Sequence, residues 1–167
     1  MPYDWPLYVC LFLALWSAIV GGVFSAFSEF IMSALLRTAP ASGIEAMQQI
    51  NHTVIKTQFV AGIMLISVFS VLFAFYAQAV FSGYALVNLI LASIVYVASV
   101  FLMTIAGNVP MNKRLDGMDP KSSEAAAYWT RYGRVWTRLN HVRSVGSIMT
   151  SVLYLIAAVM LIESGQV

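Results

Sequence analysis

Residues 57–112 read TQFVAGIMLISVFSVLFAFYAQAVFSGYALVNLILASIVYVASVFLMTIAGNVPMN, 56 consecutive positions without one charged side chain. A helix needs roughly 20 apolar residues to cross the hydrocarbon core of a bilayer. The stretch is therefore long enough for two crossings, and Gln78, Ser82 and Gly83 relieve the apolar run where they would divide. Strands of a membrane barrel alternate apolar and polar residues, and this block does not. It predicts helices, and it predicts them in a membrane.

Two more uncharged blocks flank it: Trp5 to Ser28, with 24 residues, and Ser144 to Ile162, with 19. The expected fold is all-α, an integral membrane four-helix bundle with short interfacial helices in its charged loops. The spans fall at about residues 7–36, 57–76, 84–106 and 142–162, with an interfacial helix at about 123–140, in one domain over 1–167. Composition agrees, since 60% of residues are hydrophobic and 10% charged. A soluble domain carries about 25% charged residues, so an ordinary soluble enzyme, a nucleic-acid module and a disordered tail are all excluded. The first apolar stretch is too long for a signal-peptide core and has no basic residues before it. Cys10 is the one cysteine, which excludes an internal disulfide and any CxxC motif.

Orientation follows from the nine basic residues. Arg37 and Lys56 lie between spans one and two; the other seven, Lys113 through Arg143, lie between spans three and four or at the mouth of the fourth. With four spans those two loops share one side. The positive-inside rule puts both loops in the cytoplasm and both termini outside, with a bacterial inner membrane as the expected location. Contact with anionic lipid heads explains the basic excess better than nucleic acid does.

Both loops carry helical signals. Pro40 and Gly43 read as breakers; after them Ile44, Met47, Gln48 and Asn51 fall at helical spacing, which predicts a short interfacial helix leading into span two. Gly107-Asn108-Val109-Pro110-Met111-Asn112 reads as a turn after span three. Ser122 or Ser123 suits the N-cap of the next helix. Along that helix Trp129, Trp136, Asn140 and Arg143 share one face, Arg131, Arg134 and Arg138 take the opposite one, and His141 projects about 120° from Trp129.

Several polar residues sit where a membrane tolerates them poorly. Glu29 lies inside span one, about 10 Å below its end, where an isolated carboxylate costs several kcal/mol unless protonated or paired. Arg143 enters span four at similar depth, so an ion pair across the bundle is expected, either as a structural lock or as a carboxylate and cation facing a pocket. Asn108 and Asn112 either cap span three or serve a site. Trp129 and Trp136 form an interfacial belt or stack on a ligand. His141, beside Asn140 and near Arg143, combines a proton acceptor with amide and guanidinium donors. His52 reads as a headgroup-level histidine, and Asn88 as an interhelical hydrogen bond. The candidates gather at one end of the bundle, whereas a transporter carries polar groups nearer the midplane.

The strings Gly21-Gly22-Val23-Phe24-Ser25-Ala26-Phe27-Ser28-Glu29-Phe30-Ile31-Met32, Ala46-Met47-Gln48-Gln49-Ile50-Asn51, Gly107-Asn108-Val109-Pro110-Met111-Asn112 and Trp136-Thr137-Arg138-Leu139-Asn140-His141-Val142-Arg143 together resemble the anthrone oxygenase family over nearly the whole chain. The resemblance implies four membrane helices, and its fungal members oxidise polyketide anthrones to anthraquinones without an established cofactor. The motif positions it carries over are Glu29, Asn108, Pro110, Asn112, Trp136, Asn140, His141 and Arg143.

The expected function is cofactor-free oxygenation of an anthrone-type or other apolar aromatic. His141 would act as base with Glu29 as its alternative, Arg143, Asn108 and Asn140 would stabilise the anion, and Trp129, Trp136 and Asn112 would hold the rings. Expected partners are membrane lipid, an apolar small molecule and O2; no nucleic acid is expected, and a homo-oligomer is compatible with the sequence. Neither a metal nor another cofactor is expected. Two rival readings stay open: a haem- or metal-binding membrane protein using His141 or His52, and a non-enzymatic lipid- or ligand-binding accessory protein.

Overall fold

The structure is a computed structural model that describes residues 4–167. It is 88% helical, without a strand among the described residues. Five helices account for it: α1 (Trp5–Leu36), α2 (Pro40–Val54), α3 (Gln58–Val80), α4 (Gly83–Asp116) and α5 (Ser123–Glu163). Four of them, α1, α3, α4 and α5, are long and apolar enough to cross a membrane. α5 runs unbroken for 41 residues, about 60 Å, roughly twice a hydrocarbon core, so one end must stand clear of it. The aromatic interfacial segment and the fourth span are therefore one rod. Ser122 starts it: its Oγ accepts from the Ala125 N–H at 3.1 Å.

The chain breaks just before Pro40, at residues 37–39, but not at Gly43, which lies inside α2, nor at Pro110. Pro40 stands in the first turn of α2, where a missing N–H costs nothing, and Ala39 before it is extended, as a residue preceding proline prefers. The anticipated turn at Gly107–Asn112 is helix, and α4 continues to Asp116. Its backbone widens into a π segment over Val97–Asn108 and returns to α-helix at Val109, so Pro110 again falls in a first turn. A second π segment, Phe27–Ile31, lies in α1. Such wide turns inside α-helices are frequent at functional sites.

α5 packs along α1 on one side and α4 on the other, while α3 lies against α4 and touches α1. Small residues permit the close crossings: a Cβ on Gly146 of α5 would stand 1.7 Å from Ser99 Oγ of α4, and one on Gly62 of α3 would meet the Trp16 ring at 2.5 Å. The long core holds Leu13, Val20, Ile66, Leu89, Tyr96 and Leu161 among others. Phe12, Leu15, Phe69, Leu72, Phe75 and Ile148 point outward and exposed, a surface suited to lipid rather than water. A smaller core at the loop end joins Met32, Ile44, Met47, Leu115, Tyr132 and Trp136, and packs α2 against α5. Gln48 Nε2 donates to the carbonyls of Leu115 (2.9 Å) and Met118 (3.0 Å), and His52 pairs with Asp116, so α2 is clasped to the end of α4.

Candidate functional site

All five helices converge on a cavity of about 180 Å³ at the end of the bundle that carries both charged loops. Val23 and Phe27 of α1, Ile50 of α2, Ile63 of α3 and Ile105 of α4 give it apolar walls, and the exposed Ile55 lines its mouth. α2 forms the roof because its buried face, Ile44, Met47 and Asn51, follows the helical spacing of its sequence.

The polar part of the wall is built around Arg143, 6% exposed. Its guanidinium lies over the Phe24 ring at 4.1 Å and near the Trp136 ring at 5.5 Å, donates to the carbonyl oxygen of the Asn140 side chain, and reaches Thr104 Oγ1 at 3.4 Å. Asn140, fully buried, donates its amide to the Phe24 carbonyl and to Ser28 Oγ, each at 2.6 Å, tying α5 to α1 where the π segment begins. Asn108 Nδ2 donates to the Trp136 carbonyl at 3.3 Å. Asn112 Oδ1 accepts from Tyr132 Oη and Trp136 Nε1, both at 2.8 Å.

Three buried polar atoms on residues of this wall have no protein partner: Arg143 Nε, Asn51 Nδ2 and Asn108 Oδ1. A buried polar group without a partner costs about 1–3 kcal/mol, and three around one cavity mark it as built for a ligand or water. The guanidinium has no carboxylate either: among the described residues the ion pair is His52 with Asp116.

Of the residues singled out from sequence, Asn108, Asn112, Trp136, Asn140 and Arg143 line the cavity. Trp129 does not; it is buried behind the wall against Gly43, at the start of a stacked row with Tyr132 (5.5 Å) and Trp136 (5.9 Å). Glu29 and His141 also lie outside it, and both are exposed. Phe24 and Ser28 turn the face of α1 towards α5, which leaves Glu29 one residue further round on the outer surface, so the expected Glu29–Arg143 pair does not form. The same geometry turns His141 away from its neighbour Asn140, into a groove beside Arg138. His52 lies 53% exposed on the outer side of α2.

Asn51 and Thr104 belong to the wall and were not among the site residues read from sequence. Asn51 could have been found as a polar residue on the apolar face of an amphipathic helix. Thr104 gave no such signal, because its orientation depends on the π segment. Haem through either histidine does not fit this cavity, since neither lines it. Among the described residues no three His, Cys, Asp or Glu side chains come together as a metal site.

The fold and site define a four-span membrane protein whose single-ended apolar cavity presents a guanidinium and side-chain amides. The family model for anthrone oxygenase matches residues 47–160, and the chain belongs to that family. The matched region runs from the roof helix through most of α5, and so includes every polar residue of the cavity wall. No curated protein and no solved structure matches the chain.

Proposed function

We propose that this protein oxidises an anthrone-type aromatic with O2 inside the cavity. The observation that carries the reading is the buried, carboxylate-free Arg143 at an apolar cavity with unpartnered donors on Arg143 and Asn51. An anthrone loses a proton from its ring CH2 to give an anion whose charge rests largely on the carbonyl oxygen. Donors fixed at that oxygen, in a site shielded from water, lower the cost of forming the anion. The anion passes one electron to O2, the ring radical and superoxide join as a peroxide anion, this takes a proton back from water to become the hydroperoxide, and loss of water leaves the second carbonyl. The sum is one anthrone and one O2 to one anthraquinone and one water.

Arg143 and Asn51 are the donors to the oxyanion in this account. Asn140 orients Arg143, and Asn108 offers its free carbonyl oxygen to a ring hydroxyl. Neither a histidine nor a carboxylate lines the cavity, so the proton leaves to water at the mouth. A cavity of about 150 Å³ holds a benzene, so this one encloses a reacting ring and leaves the rest of a fused system in the mouth. The charge map supports an inner-membrane protein with this end in the cytoplasm.

The test is oxygen uptake with an anthrone in detergent-purified protein against matched protein-free micelles, because anthrones oxidise slowly unaided. Acceleration with one quinone formed per O2 is the expected result. No acceleration by folded protein overturns the reading and leaves a binding role for the cavity.

A further inference from the structure

A second concavity lies on the other side of the Ser28–Asn140 hydrogen bond, between the end of α1 and the outer face of α5. Its charged lining is all basic, Arg37 of α1 with Arg134 and Arg138 of α5, and His141 stands beside them. Ser33 and Thr137 supply hydroxyls, and the Thr137 Oγ1 is buried without a partner. Neither an aspartate nor a glutamate lines it, and none of the three arginines pairs with a carboxylate among the described residues.

The fold brings the three arginines together. Gly133 admits the Leu36 side chain so closely that a Cβ there would stand 2.6 Å from Leu36 Cδ2. That contact sets Arg37, the next residue, beside Arg134 and Arg138. From Arg134 to His141 the groove runs about 10 Å along α5. It lies at the rim of the bundle, with exposed apolar side chains such as Val142 and Val145 continuing down α5 below it. A site of this form suits a ligand with an anionic head among the arginines and apolar tails below.

We propose that the α1–α5 groove binds one anionic phospholipid. Its phosphate sits among Arg37, Arg134 and Arg138 and accepts from Thr137 Oγ1, and its acyl chains lie along the outer face of α5. The inference rests on the groove alone and holds whether or not the cavity oxidises anthrones. It is distinct from general attraction of a basic surface to an acidic membrane, because Arg131 is also exposed on α5 yet lies outside the groove.

Native mass spectrometry of the full-length protein in detergent, titrated with phosphatidylglycerol or phosphatidylcholine, tests it. The wild type is expected to retain one phosphatidylglycerol in preference to phosphatidylcholine. The Arg37→Gln/Arg134→Gln/Arg138→Gln protein should lose about a hundredfold in that affinity, and Arg131→Gln should keep it. Thr137→Val, which alters no charge and is expected to fold, should lose several-fold and decides the matter alone if the triple variant does not fold. Glycerol 3-phosphate, which has the head but no tails, should fail to displace the lipid at millimolar concentration. Equal loss from Arg131→Gln and the triple variant, unchanged binding in Thr137→Val, or displacement by glycerol 3-phosphate would each overturn the proposal.

Discussion

Arg143 separates a lock from a site. A guanidinium that bridged helices through a carboxylate would be missed badly if removed, because its partner would be left charged and buried. Here its partners are Asn140, Thr104 and two aromatic rings, and its Nε is unpaired. Arg143→Met should therefore cost little stability: the Asn140 carbonyl loses a donor, but a desolvated cation disappears. Thermal unfolding should move by no more than about 4 °C, whereas Asn140→Leu, which cuts both bonds to α1, should cost more. A large drop for Arg143→Met would restore the lock. Five of the eight site residues read from sequence line the cavity, because helical spacing alone puts Trp136, Asn140 and Arg143 on one face. Spacing also separated His141 from that face. Its adjacency to Asn140 in sequence suggested a nearness in space that 100° per residue does not allow, and the similar depth of Glu29 and Arg143 in their spans said nothing of the faces they take.

At the scale of elements, the membrane spans were legible because each apolar block matches the thickness it must cross. Helix ends were less so. Pro40 and Pro110 read as breakers, but each falls in a first turn, the second because a π segment ends just before it. Nothing in a hydropathy pattern announces a π segment; it arises from packing, and it carries Thr104 and Asn108 to the cavity wall. The α4–α5 contact that places this wall depends on Gly146. Gly146→Ala drives a methyl into Ser99, whose hydroxyl is held by the Val95 carbonyl at 2.6 Å, and should sharply lower the thermal midpoint. Gly22→Ala meets nothing within 4 Å and should leave it unchanged or raised. Similar midpoints for the two would mean that α4 and α5 do not cross this closely.

For the whole molecule, the cavity and the basic groove share the end where all nine basic residues gather, while Gln166 meets Ser82 in the α3–α4 turn at the other end. The proposed orientation is open to labelling, since Cys10 is fully buried and stays silent. In intact cells a membrane-impermeant maleimide should label Glu163→Cys and spare Lys121→Cys. The reverse pattern would put the cavity end outside and overturn this orientation.

The central claim is that chemistry happens at Arg143 in the cavity and not at the histidine two residues before it. Anthrone oxidation by Arg143→Met and His141→Ala, measured side by side with equal folded protein, tests this most directly. Loss of an oxyanion donor costs about 100- to 1,000-fold, so Arg143→Met should fall to near the protein-free rate while His141→Ala stays within about twofold of wild type. A fully active Arg143→Met protein beside an inactive His141→Ala would contradict the account and move the reaction to the outer face of α5.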